Sequence, residues 1–233
     1  MTVEAGGFPI IALRRYPVKS MGGEALRSAH VDARGVVGDR WFAVEDDDGR
    51  FASGKDTRRF RRRDAVFGYG ASTSPDGVVV FGAEGSWTVG DPDLDAHLTD
   101  VMGAAVRVAP ESRVPHLDAG SVSLVGSATL RWCRERWGID ADPRRLRTNV
   151  VVESDEPFIE ETWVGRTVHV GSATLRVLQR VERCRTIDLP QDGTHPDDRW
   201  LKALGGERDT KVAVYADVVK PGLVTVGDVL TVT

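Results

Sequence analysis

The chain holds two cysteines, Cys133 and Cys184, in different surroundings. Cys184 sits in Val181-Glu-Arg-Cys-Arg185, at the end of a long predicted strand and between two arginines. Neighbouring cations lower a thiol's pKa and favour the thiolate, the form that attacks electrophiles and binds soft metals. Taken alone, a cysteine at a strand end is more readily a small buried hydrophobe. Cys133 lies in the helical run Leu130-Arg-Trp-Cys-Arg-Glu-Arg-Trp137 and reads as packing. Two cysteines and five scattered histidines provide none of the paired spacings of a structural zinc site.

Other side chains have chemistry to offer, each beside a plainer reading. Arg147-Thr-Asn149 precedes the apolar Val150-Val-Val152, so a guanidinium and a carboxamide stand at the mouth of a strand. Arginine grips phosphate bidentately and asparagine can pair with a heterocycle edge, but the tripeptide alone reads as surface arginine and turn asparagine. Tyr16-Pro-Val-Lys-Ser20 places a cation and a hydroxyl in a proline-shaped turn, where lysine is usually just solvated. Gly35-Val-Val-Gly-Asp-Arg-Trp41 is a glycine-punctuated turn, suited to close approach of a ligand or to a plain hairpin. Arg58-Arg-Phe-Arg-Arg-Arg63 has five arginines in six residues, a pattern suited to an acidic partner but better read as a solvated face.

The elements that must position these groups are mostly strands. With 233 residues, 28% of them charged and a net charge of -4, the chain is an ordinary globular one, and the charge argues against general nucleic-acid or anionic-membrane binding. No segment approaches the apolar length of a membrane span, and Met1-Thr-Val-Glu-Ala-Gly-Gly lacks the basic and apolar regions of a leader, so a cytoplasmic location is expected. Short β-branched runs ended by Gly, Asp or Pro predict strands near 10–16, 27–31, 41–45, 66–71, 78–81, 106–109, 122–125, 149–152, 167–170, 174–181, 211–219 and 229–232. Helices are expected from Asp91-Pro92 to Met102, from an N-cap at Ser127 to Trp137, and from Pro196 to Gly205-Gly206. The fold class is therefore mainly β with a few helices. A boundary near Pro110-Glu111 divides residues 1–110 from 111–233, as separate or interleaved β-barrels.

In combination and in order, Tyr16-Pro-Val-Lys-Ser20, Gly38-Asp-Arg40, Arg147-Thr-Asn-Val150, Glu161-Thr-Trp163 with Val170-Gly171, Arg183-Cys184 and Pro221-Gly-Leu-Val-Thr-Val-Gly-Asp228 resemble a MOSC protein with its N-terminal β-barrel domain. That family includes the mitochondrial amidoxime-reducing components and related bacterial oxidoreductases. The resemblance covers nearly the whole chain. It implies a molybdenum cofactor, a metal-bearing molybdopterin, with Cys184 as protein ligand to the metal. It also implies cofactor contacts from Lys19, Ser20, Arg40, Gly120, Ser121, Arg147, Asn149, Arg183 and Tyr215, with backbone amides of Asp118-Ala-Gly-Ser121 as further donors. This chain departs from the pattern at Val181, where many reductases have a second cysteine, at Thr148 in place of proline, and at Gly120 in place of serine.

The activity so implied is reduction of N-hydroxylated or N-oxygenated small molecules. Because the chain has no iron–sulfur cysteine set or nucleotide-binding glycine loop, electrons are expected from a separate ferredoxin-, flavoprotein- or cytochrome-type protein, with Arg58–Arg63 a candidate dock. Asp118 and His116 are the nearest candidates for a proton donor, though both read more readily as loop residues. The alternative is a non-catalytic cofactor carrier or sulfur-transfer module using Cys184 as a persulfide. A β-barrel nucleic-acid binder rests on the arginine run alone.

Overall fold

The computed structural model describes residues 7–197 and 199–233. Met1–Gly6, read above as lacking a leader, and Asp198 lie outside the described residues. Seven strands close into a barrel: β1 (Phe8–Arg15), β2 (Val122–Gly126), β3 (Val150–Val152), β4 (Thr167–Val170), β5 (Ala173–Glu182), β6 (Lys211–Lys220) and β7 (Val229–Val232). The order around it is β3-β2-β6-β5-β4-β7-β1, and β1 returns to β3 with Ile10 opposite Val152 and Leu13 opposite Val150. Only the β2–β3 contact within this barrel is parallel.

Strand periodicity fills the interior. Val122 and Leu124, Val150 and Val152, Val168 and Val170, Leu175 and Val177, and Val214 and Ala216 stand two residues apart and point into one apolar core. On β1 the inward residues Ile10 and Leu13 are three apart because the register slips between Ile10 and Ala12, as a bulge requires. The outer face, with Val125, Val151 and Val212, packs against helix α2 (Ser127–Trp137) and helix α4 (Trp200–Glu207) around Cys133, Trp200 and Leu204.

Between β1 and β2 the chain builds a second core. A four-stranded sheet contains Phe42–Asp46, Phe51–Ser53, Phe60–Arg62 and Val106–Pro110, a three-stranded meander runs over 70–88, and helix α1 (Pro92–Met102) inserts Leu94 and Leu98. Because β1 belongs to the barrel and Ser28–Asp32 pairs with Gly222–Thr225, the two halves interleave. Among the described residues no helix is long and apolar enough to cross a membrane.

Three local expectations change. Residues 66–71 do not form one strand: a 3-10 turn spans Asp64–Gly68 and the strand begins at Gly70, because the adjacent Val66 and Phe67 are both buried and alternation would send one outward. Ser127 is not the cap of α2. Gly126 is, while Ser154 Oγ accepts from Ala128 N at 3.1 Å and Ser127 Oγ donates to Ser154 O. The third predicted helix starts at Trp200 rather than Pro196, seated by that fully buried indole, and carries Gly205 and Gly206 inside it. A fourth helix, α3 (Pro143–Leu146), was not expected; Asp142 caps it, accepting from Arg144 N, and Pro143 occupies its first turn.

Candidate functional site

A cavity of about 570 Å³ opens between the barrel and the N-terminal half. From the barrel, Ser123, Gln179 and Tyr215 line it side by side, since Tyr215 on β6 is the cross-strand neighbour of both others. The end of β5 brings Arg183 and Cys184, and the turn after β1 brings Lys19 and Ser20. Arg40 and Arg147 complete the set reached from the sequence. Three of these residues, Ser20, Arg40 and Arg147, hold left-handed backbone with φ of 71°, 53° and 52°. Non-glycine residues adopt that region at some energetic cost, and such conformations gather at functional sites. Arg147 does so as the C-terminal cap of α3, which aims it into the cavity.

The cavity is cationic in a chain whose net charge is -4. Nine Lys or Arg line it against two carboxylates, Asp118 and Glu182, and Lys55, Arg59, Arg147, Arg183 and Lys211 have no ion-pair partner among the described residues. Arg147 is the clearest case. Its Nη2 is buried with no hydrogen-bond partner, and Nη1 reaches only Ser20 O at 3.4 Å and Gln191 Oε1 at 3.5 Å. Burial, then repulsion from Arg40, lowers its pKa to about 10. Arg147 and Arg40 lie over the Tyr16 ring, at 4.5 and 5.1 Å from its centroid, and Arg40 also ion-pairs with Asp39. Lys19 donates to His116 O at 2.7 Å and Asp118 Oδ1 at 3.0 Å; burial outweighs Asp118's attraction and lowers its pKa to about 8. Burial pushes the Asp118 carboxyl up, but the charge and hydrogen bond of Lys19, with the charges of Arg40 and Lys55, together override it and hold that carboxyl down at about 2.

Cys184 is partly exposed and its Sγ donates to Thr186 Oγ1 at 3.5 Å. Both flanking arginines act on the thiol through their charge, while their hydrogen bonds go elsewhere. Arg183 donates to Leu146 O at 2.8 Å and to Val212 O at 3.0 and 3.1 Å, so it is fixed by neutral carbonyls. Arg185 turns to Asp64 as a two-pronged ion pair of 2.8 and 2.6 Å.

Three predicted contacts are placed elsewhere. Asn149 is buried, accepting from Ser123 N and Oγ at 3.1 and 3.0 Å and donating to Arg14 O; it positions Ser123 rather than facing the cavity, because a buried carboxamide must satisfy its own groups. Ser121 N and Oγ both donate to Asp217, and the amide also reaches Ala216 O, so Ser121 is no free donor. Gly120 packs on Tyr215, where an added Cβ would meet the tyrosine Cβ at 2.6 Å; neither Gly120 nor Ser121 lines the cavity. The Ser20 hydroxyl lines it but donates to Ala52 O. His116 is buried, its Nδ1 3.1 Å from Arg40 O, and burial lowers its pKa to about 4.

The MOSC domain profile matches residues 97–231, and the MOSC N-terminal beta barrel domain profile matches residues 7–99. The chain belongs to the MOSC family. Its fold is similar to that of the YuaD protein from Bacillus subtilis, at 13% identity and TM-score 0.51 over 98% of this chain and 97% of that one. YiiM from Escherichia coli aligns at 11% identity and TM-score 0.48 over 98% of this chain and 70% of that one. YiiM from Geobacillus stearothermophilus aligns at 19% and 0.37 over 49% of this chain and 54% of that one. No curated protein matches the sequence.

Within this MOSC chain the sequence reading missed Lys55, Arg59, Arg180 and Lys211 on the cavity wall. Arg59 belongs to the arginine run and donates to Leu117 O at 2.9 Å, so the run is not a uniform solvated face. Arg61, Arg62 and Arg63 pair with Asp56, Asp64 and Asp46. Asp56 and Asp64, which flank the run, were the available signal that part of its charge is neutralised locally.

Proposed function

We propose that the cavity holds the molybdenum cofactor, with Cys184 as the protein's sulfur ligand and the cations around Arg147 on the pterin phosphate, and that the loaded protein reduces N-hydroxylated or N-oxygenated small molecules. One observation carries this reading: a partly exposed thiol shares a cavity with a buried guanidinium whose Nη2 has no partner. An unsatisfied buried charged donor costs several kcal/mol unless an anion meets it. The donor set fits a metal that brings most of its own ligands, since among the described residues no three His, Cys, Asp or Glu converge on a point. When bound, such a cofactor supplies two-electron oxygen-atom-transfer chemistry.

The chain's own groups have defined parts in this reading. Arg147 and Arg40, stacked on Tyr16, bind and orient the phosphate. Arg183, fixed by Leu146 and Val212, keeps a positive field beside Cys184. Burial raises the pKa of Tyr215, which therefore keeps its phenolic proton at neutral pH and offers an O–H to a substrate oxygen. Asp118, ionised above pH ~2, and His116, neutral above pH ~4, are poor proton donors at neutral pH. The chain's two cysteines, one fully buried, cannot ligate an iron–sulfur cluster, so electrons come from a separate ferredoxin-, flavoprotein- or cytochrome-type protein.

The test is metal analysis of protein expressed with molybdate and a cofactor supply. Wild type should carry close to one molybdenum per chain, and Cys184→Ala almost none. Metal-free wild type with a persulfide on Cys184 would overturn the oxidoreductase reading in favour of a sulfur carrier.

A further inference from the structure

The cavity contains two groups of cations, each arranged around an aromatic ring. Arg40 and Arg147 flank Tyr16. On the wall from the N-terminal half, Lys19 Nζ, Lys55 Nζ and Arg59 Cζ lie 5.2, 4.9 and 5.2 Å from the centroid of Phe60. The face of one ring attracts a cation weakly and cannot offset mutual repulsion among three. Asp118, the carboxylate on this part of the cavity wall, ion-pairs with Lys19 at 3.0 Å. Lys55 has no hydrogen-bond or ion-pair partner among the described residues. Among the described residues the hydrogen bonds of Arg59 go to the carbonyls of Leu117 and Pro115, and its Nε is buried without a partner. Lys19 is repelled by both Arg40 and Arg59, so the two groups adjoin in one continuous cavity.

A single phosphate can neutralise one group and leaves the other unmet. We infer that the Lys55–Arg59 wall is a second oxyanion site, and that the substrates of this protein carry a carboxylate or phosphate in addition to their reducible N–O bond. This rests on the cofactor reading for the chemistry at Cys184, but the second anion site stands on the cluster around Phe60. The docked anion would fix the substrate at the N-terminal wall and present its other end towards Cys184 across the same cavity.

The experiment is calorimetric titration of the full chain with inorganic phosphate, cofactor-free and loaded. Cofactor-free wild type is expected to take up two phosphates and loaded protein one. In loaded protein Lys55→Glu should weaken the remaining site at least about tenfold and Lys55→Gln less, as loss of a charged contact implies. Lys55 is the decisive position because its ammonium makes no hydrogen bond or ion pair among the described residues; Arg59→Gln should act in the same direction. In turnover, an amidoxime bearing a carboxylate should have a lower KM than its uncharged parent, and that advantage should vanish in Lys55→Glu with kcat little changed. Loaded protein that binds no phosphate, or phosphate affinity within about twofold of wild type in Lys55→Glu, overturns the inference. Loss of molybdenum from Lys55→Glu also overturns it, by assigning Lys55 to the cofactor, and leaves the cofactor reading standing. A Lys55-dependent phosphate site in protein that never takes up molybdenum sinks the cofactor reading and leaves the second anion site.

Discussion

The helix face around Cys133 and the strand end at Cys184 present the same side chain between arginines in two opposite settings. Cys133 has Arg131, Arg134 and Arg136 near it in sequence, yet it is fully buried among Leu130, Ile139, Trp200 and Leu204. Burial first, and then the nearby charge of Glu160, pushes its thiol up to about 12. Cys184 instead faces a cavity in which five cations lack carboxylate partners among the described residues. Flanking charge therefore does not decide a cysteine's role. On a helix the flanking arginines fan to other faces, whereas at the strand end they are captured by carbonyls and by Asp64. The field at Cys184 combines its neighbours Arg183 and Arg185 with cavity cations distant in sequence, and the apolar setting of Cys133 comes from α4 and the barrel's outer face.

The largest expected effect of that difference is kinetic. In native protein a water-soluble alkylating reagent should label Cys184 readily, while Cys133 should react only through opening of the core. For a domain of ordinary stability that makes Cys133 at least about a thousandfold slower. Mass spectrometry of the two tryptic peptides checks this, and comparable labelling rates would break the contrast. Bound cofactor should then protect Cys184 and leave Cys133 unaffected.

A second expectation concerns the charge that the Cys184 region leaves unmet. Replacing Arg147 by Met removes a buried guanidinium with an unpartnered donor, so cofactor-free protein should become more stable, by up to about 4 kcal/mol. The same change should weaken inorganic phosphate binding about tenfold or more. Denaturant unfolding and phosphate titration measure the two signs separately. Loss of both stability and binding would make Arg147 a structural residue rather than a ligand-binding one.

The barrel strands were legible because β-branched runs with inward residues two apart reproduce the pleat of the structure, as at Val122 and Leu124 or Val214 and Ala216. The family relation was legible because its motifs keep their order. What escaped the sequence was set by contacts across the chain. Asn149 stands at the predicted strand mouth, but Ser123, 26 residues away, accepts and donates its hydrogen bonds. Lys55 and Arg59 reach the cavity only because Phe60 pairs through its strand with Phe51 and turns their loop towards Asp118. Helix α3 is one turn long, too short for a periodic signal, yet its cap gives Arg147 the backbone that aims it.

The smallest expected effect lies beside Cys133 and measures how apolar that region is. Glu160 is fully buried; Thr129 Oγ1 donates to its Oε2 at 2.9 Å, and its Oε1 has no partner. Burial raises its pKa from 4.5 to about 6, against the hydrogen bonds that favour the charged form. An acid whose folded pKa is raised binds more protons folded than unfolded. Its stabilising contribution is complete below pH 4.5 and declines as pH rises through about 6, by roughly 2 kcal/mol in total. Glu160→Gln cannot ionise, so the difference in unfolding free energy between variant and wild type should shift in the variant's favour by that amount between pH 4.5 and 7. Asp118 and Asp197, held at about 2, titrate well below this window and cannot imitate it. A difference that stays flat across the window would mean that water reaches Glu160, and that the pocket shared with Cys133 is less dry than its packing implies.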